Sequence, residues 1–301
     1  MTGRIVLAGA GGEVTAAAAK LAEETGAEVV TLVVDLGGHP PAGGSTHDAA
    51  AFADDHCVPA IQANALVTGL AWPAVVHRLA EAARRHGATT VAHGYAGRGA
   101  HRFAAGMAAV APDLRVLAVP GVTSAERTLW GYVVEPGDRW RFPAEGEFLA
   151  PEEVTVTFDG GVPVAVDGET LSVAEALRRL NRRVAAQGAG KCQTEDGRTF
   201  AAPGALALVT AHRALESVTL EPDLARFKRQ VDREWATLVR DGHWFSPLKH
   251  ALDTFVAEAR EAVSGDVRLL LHDGRVTALE PRDARPAAGS VARPGRITAL
   301  A

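Results

Sequence analysis

Residues Ala8-Gly9-Ala10-Gly11-Gly12-Glu13-Val14-Thr15-Ala16 follow the apolar run Arg4 to Ala8 and lead into an alanine-rich stretch of helical spacing. A strand, a tight glycine turn and a helix start present free backbone N–H groups and the positive end of a helix dipole, which suits a phosphate. Thr15 is the hydroxyl of that turn. The same residues also read as Gly9-x-Gly11-x-x-Val14, an incomplete dinucleotide fingerprint. Asp35, at the end of the next apolar run, stands where a ribose-binding acid would. A third reading is structural: glycines relieve crowding at a strand-to-helix turn whether or not anything binds.

A second glycine loop runs His93-Gly94-Tyr95-Ala96-Gly97-Arg98-Gly99-Ala100-His101. Either histidine could act as a general base. His93 reads more simply as a histidine hydrogen-bonded at a strand end, whereas His101 adds a donor to the loop. The eleven histidines form no H-E-x-x-H, and His47, His56 and Cys57 lack a trusted metal-ligand spacing, so no metal site is expected. No residue is assigned a catalytic role.

The elements that must position these loops alternate. Strands are expected at Arg4–Ala8, Glu28–Asp35, Thr89–His93 and Leu114–Val119, and helices at Val14–Thr25, Pro73–His86 and Arg102–Val110. This is a doubly wound parallel α/β sheet, whose ligands gather at the carboxyl ends of the strands. A pocket is therefore expected from Gly9 to Thr15, Asp35 to Gly38 and His93 to Gly99. Beyond Pro151 the pattern changes. Glu152–Phe158 and Val162–Val166 form paired strands across Asp159-Gly160-Gly161, and Ser172 with Glu175 forms a capping box for a helix over Leu171–Gln187. Long helices follow Gly204, including Asp223–Asp241 and Ser246–Val263, before a hairpin at Asp273-Gly274. Three units are expected: a nucleotide-binding domain over 1–150, an α+β domain over 151–280, and a flexible tail over 281–301.

Composition excludes some functions. A net charge of -5 without long charge runs argues against a nucleic-acid partner. No apolar run approaches a membrane span, and glycines with Glu13 break the N-terminal run too early for a signal-peptide core. Two distant cysteines, Cys57 and Cys192, fit a reduced cytoplasmic protein.

The segments AHRALESVTL from Ala211, FKRQVDREWATLVRDGHWFSPLKHALDTFVAEAR from Phe227, and SGDVRLLLHDGRVTAL from Ser264 closely resemble argininosuccinate synthase. That enzyme family joins citrulline to aspartate through an adenylated intermediate. The resemblance implies an ATP-pyrophosphatase-like nucleotide-binding domain followed by an α+β synthetase and multimerisation domain with long helices. It also implies a homo-oligomer, a dimer or a tetramer. In the family the first loop reads A-x-S-G-G-x-D-T-S. Here both serines are alanine and the aspartate is Val14, while the glycines and Thr15 remain. Glu13 is a poor substitute, because one step along a helix rotates a side chain by about 100°.

The second family motif, H-G-x-T-G-K-G-N-D, holds the aspartate substrate. Its threonine, asparagine and aspartate correspond to Ala96, Ala100 and His101, and Arg98 stands in place of lysine. The citrulline segment N-A-L-Y-E-G-R-Y-P-L-G-T survives as Asn64 to Gly69 and then passes to Pro73. The citrulline-binding glutamate and tyrosine of R-E-V-Y-E-A-P-G-A correspond to Arg198 and Phe200. Nucleotide contacts are thus expected at Ala8, Gly11, Gly12, Thr15, Gly94 and Arg98 from the resemblance, and at Asp35 from its place at the strand end. The resemblance implies a substrate pocket around Ala96, Ala100, His101, Arg198 and Phe200, and ATP with Mg2+ in a weakened site. Two functions follow: a non-ligase binding or partner protein, or an adenylating C–N ligase with changed substrates. Trp235, Trp244, Phe227, Phe245 and Phe255 are expected in a core or a subunit contact.

Overall fold

The computed structural model describes residues 3–9, 13–38, 46–95, 97–119, 127–134, 150–194 and 197–284. Strands β1 (Arg4–Ala8), β2 (Glu28–Leu32), β3 (Thr90–His93) and β4 (Arg115–Ala118) form a parallel sheet in the order β2-β1-β3-β4. Helix α1 (Glu13–Thr25) covers one face. Alternation along β1 separates the two sides: Ile5 and Leu7 pack with Val14, Leu21 and Ala92, whereas Val6 and Ala8 join the larger core. Strand β3 is buried along its whole length, as a central parallel strand must be.

Between β2 and β3 lies a helical run that periodicity did not indicate. Helix α2 (Thr46–Phe52) passes through a π-helical turn, Ala53–Cys57, into α3 (Val58–Gln62). Val58 donates its N–H to the Ala53 carbonyl five residues back, and Pro59 then occupies the first turn of α3, where its missing N–H is tolerated. The extra residue shifts the apolar face, which breaks the 3.6-residue pattern. Helices α4 (Trp72–His86) and α5 (Arg98–Val110) complete this half. Helix α5 begins four residues before its expected start. Strand β2 ends at Leu32, leaving Asp35 in the loop beyond.

The second half contains two antiparallel sheets. Strands β5 (Tyr132–Val133), β9 (Lys191–Gln193) and β10 (Thr199–Ala201) make a small one in the order β5-β10-β9. Strands β6 (Glu152–Asp159), β7 (Val162–Val166), β8 (Glu169–Thr170), β11 (Gly265–His272) and β12 (Arg275–Ala278) make a larger one in the order β12-β11-β6-β7-β8. Val154, Val156 and Phe158 on β6, with Val267, Leu269 and Leu271 on β11, form its buried face. Helices α6 (Val173–Ala186) and α7 (Pro203–Thr219) cover it, and α8 (Pro222–Asp241) pairs with α9 (Pro247–Ala259).

Local signals account for these boundaries. The Ser172 side chain accepts from the Glu175 N–H, and the Glu175 carboxylate accepts from the Ser172 N–H at 3.0 Å, which completes the capping box of α6. Asp273 and Gly274 both have positive φ, 50° and 70°, as a two-residue hairpin turn requires. Ordered pairing continues past Pro281. Arg282 and Asp266 exchange backbone hydrogen bonds at 2.8 and 2.9 Å, so the chain stays attached to the sheet where a loose arm was expected to begin. Residues 285–301 lie outside the described residues. Among the described residues, no helix is long and apolar enough to cross a membrane.

Candidate functional site

Parallel strands bring the carboxyl ends of β1, β2 and β3 to one edge of the sheet, where Ala8, Asp35 and His93-Gly94 all lie. Ala8 is buried at the end of β1, and the Gly9 N–H donates to the Leu32 carbonyl at 3.2 Å, closing the edge towards β2. Gly11 and Gly12 lie outside the described residues. Thr15 is exposed on the first turn of α1, whereas Val14 on the same turn is only 3% exposed. The helix register forces this difference: Val14 points onto Ile5, Leu7 and Ala92, and its neighbour points away.

The loop after β2 is closed by a distant segment. The Asp35 carboxylate accepts from the Gly37 N–H at 2.8 Å, an Asx-type turn that engages the side chain locally. The Leu129 N–H donates to the Leu36 carbonyl at 2.8 Å, and Gly37 bridges to Thr128. Glycine is required here, because a Cβ on Gly38 would fall on the Arg127 carbonyl. Trp130 anchors the closing segment, its indole N–H donating to the Val67 carbonyl at 3.0 Å.

At the end of β3, His93 is buried. Its Nδ1 accepts from the Tyr95 N–H at 3.0 Å, and its ring packs 4.4 Å from that of Phe103. Burial holds the imidazole below its usual pKa, so it is neutral and serves as a strand-end acceptor. His101 is exposed on α5, and Gly94 and Ala100 are half-buried. Arg98 opens α5 at the same edge, and Ala96 lies outside the described residues.

Arg198 and Phe200 belong to the small sheet of β5, β9 and β10. Arg198 is exposed just before β10, while Phe200 is buried in the core beside Gly131. The shortened segment from Ala65 to Trp72 is also packed inside: Val67, Leu70, Ala71 and Trp72 are all buried. Trp72 fills the space above Gly106 of α5 and meets the Phe245 ring edge-on at 5.7 Å. Arg102 lies against Gly69 of this segment and Gly242 at the end of α8.

Two family models match this chain. The argininosuccinate synthase N-terminal HUP domain matches residues 4–128, and the argininosuccinate synthase C-terminal domain matches residues 136–287. The chain belongs to the argininosuccinate synthase family. Its first half is the HUP domain that in this family binds ATP, and its second half supplies the long helices of the synthase scaffold. Magnesium bound with a nucleotide at this loop would need oxygen ligands. At the position of the family motif's aspartate, Val14 presents two buried methyl groups. Among the described residues, no group of three or more His, Cys, Asp or Glu is placed to hold a metal ion.

One feature of the synthase scaffold escaped sequence reasoning. Asn64, His212, Glu216, Lys228 and Asp232 converge in a buried polar seam between the segment after α3 and helices α7 and α8. Lys228, 1% exposed, donates to the Gln62 carbonyl at 2.6 Å and to Asp232 at 2.8 Å, and pairs with Glu216 at 2.8 Å. The Asn64 amide donates to Glu216 at 2.6 Å and to Asp232 at 2.9 Å. Arg213 donates to the Asn64 carbonyl at 3.1 Å. Only the i,i+4 spacings of Lys228 with Asp232 and of His212 with Glu216 were visible in sequence.

Proposed function

We propose that this family member no longer forms argininosuccinate and serves as a non-ligase binding or partner protein built on the synthase scaffold. The observation that carries this reading is Val14. A carboxylate at that position would have to face magnesium, and here the side chain is part of the hydrophobic layer between α1 and the sheet. The replacements at Ala96, Ala100, Arg198 and Phe200 add to it. A hydrogen bond to a charged group contributes about 1.5 to 3 kcal/mol. Each loss of about 1.4 kcal/mol at a transition state slows a reaction roughly tenfold. Losses in three subsites multiply. The test is purified protein with citrulline, aspartate and Mg-ATP, following release of AMP and pyrophosphate. The expected result is background turnover, and steady formation of argininosuccinate would refute the proposal.

A second reading is an adenylating C–N ligase with other substrates. It is favoured by the element order at the loop edge: α1 follows β1 and α5 follows β3, with Arg98 opening α5 in place of the family lysine. Thermal shift with Mg-ATP, AMP and NAD separates these two readings from each other and from dinucleotide binding. Stabilisation by Mg-ATP supports the ligase, stabilisation by NAD alone the dinucleotide reading, and no response to any of the three the partner protein.

Self-association as a dimer, in the cytoplasm, completes the proposal. Phe227 on α8 and Leu248 on α9 are exposed, 54% and 49%, on the helices expected to carry subunit contacts. Sedimentation equilibrium tests it, with a monomer as the opposing result.

A further inference from the structure

We propose that the polar seam joining the segment after α3 to helices α7 and α8 is an acid-operated lock, with His212 as the proton acceptor that releases it. Hydrogen-bond directions around the seam follow from its chemistry. The carboxylates of Glu216 and Asp232 accept, so the Asn64 atom facing both must be the amide nitrogen. The Asn64 side-chain oxygen, Oδ1, is then the atom 3.0 Å from His212 Nδ1, and that nitrogen must carry the hydrogen. His212 Nε2 is left with a lone pair. It is buried without a hydrogen-bond partner, against Gly161 of the β6–β7 turn.

A proton arriving at that lone pair would find no acceptor and the wrong charge. Every element packed on the ring contributes to this environment. Helix α7 carries Arg213 and Glu216, and α8 carries Lys228 and Asp232. The segment after α3 contributes the uncharged Gln62 and Asn64, β6 contributes the edge of Phe158, and the stem of Arg260 flanks Gly161. Two cations and two carboxylates already balance, so an imidazolium adds an uncompensated positive charge. Burial first, then Lys228 and Arg213, hold the imidazole well below its ordinary value.

The sign follows from linkage. A depressed folded-state pKa gives stability that is present above the unfolded value of 6.5 and is lost as pH falls below it. Glu216 acts in the opposite sense, because burial raises its carboxyl, so the His212 contribution must be read as a difference between variants. The variant is His212→Asn, whose amide nitrogen replaces Nδ1 as donor to Asn64 and cannot titrate.

Urea unfolding of the full chain would be followed from pH 7.5 to pH 5.5. Relative to the variant, the wild-type unfolding constant is expected to rise by an additional factor approaching tenfold per pH unit below about 6.5, the signature of one extra proton. Parallel pH profiles would overturn the proposal. Should His212→Asn fail to fold, imidazole nitrogen NMR of the wild type decides. A neutral ring protonated at Nδ1 down to pH 5.5 supports the lock, and a ring titrating near 6.5 or protonated at Nε2 sinks it.

Discussion

The seam and the loop edge treat polarity in opposite ways. At the seam, an ammonium, two carboxylates, an amide and an imidazole are buried together and bonded to one another across elements far apart in sequence. At the loop edge, Val14 is packed into the hydrophobic layer between α1 and the sheet, and in the small sheet Phe200 is buried in the larger core. A buried charge whose partners surround it cannot be exchanged one residue at a time, because the remaining partners lose their compensation. A residue that faces a ligand has no such obligation to the fold, and apolar replacements there can add packing. On the proposed reading, the scaffold stays intact while its reactant contacts are exchanged.

The most severe way to break the contrast is at Lys228. Replacement by methionine retains the stem but leaves Glu216 and Asp232 buried with only the Asn64 amide between them. A loss of about 3 to 5 kcal/mol is expected, measured by urea denaturation at neutral pH. A change within experimental error would mean that the seam is hydrated and that the contrast with the loop edge is false.

The converse substitution, Val14→Asp, restores the family residue at the loop edge. The carboxyl enters the layer of Ile5, Leu7, Leu21 and Ala92 without a hydrogen-bonding partner among them. A destabilisation of about 3 kcal/mol is expected from lost apolar burial and unpaired polarity together. Thermal shift with and without Mg-ATP reads the functional side, and the expected nucleotide response is unchanged. Neutral stability with a new magnesium-dependent response would show the nucleotide subsite to be one residue from binding Mg-ATP.

Much of the fold was legible because its signals are local. The alternation of β6, the capping pair Ser172 and Glu175, and the Asp273-Gly274 turn each act over a few residues. The run from Thr46 to Gln62 was not legible, since its π-helical turn removes the period that identifies a helix. The three-stranded sheet escaped for a different reason: β5, β9 and β10 have two or three residues each, too few to show alternation. At the site, loop residues could be named from the family motif, but not what they face. Phe200 differs from a tyrosine by one hydroxyl on paper, and only its packing against Gly131 and the core shows where it resides. The seam was least visible, because Asn64 meets Glu216 and Asp232 across separations of 152 and 168 residues.

The mildest test concerns whether the second half owes its order to local signals or to the seam. Ser172→Ala removes the hydroxyl that accepts from the Glu175 N–H and leaves the Glu175 carboxylate able to accept from the backbone N–H of residue 172. One first-turn N–H of α6 then turns to water, which is within reach because Ser172 is exposed. A loss of about 1 kcal/mol is expected, with no change in the pH profile, since the cap lies outside the contacts of His212. If urea denaturation instead gave a loss as large as that of Lys228→Met, α6 would be the element holding the second half together. The seam would then be a consequence of that order rather than its cause.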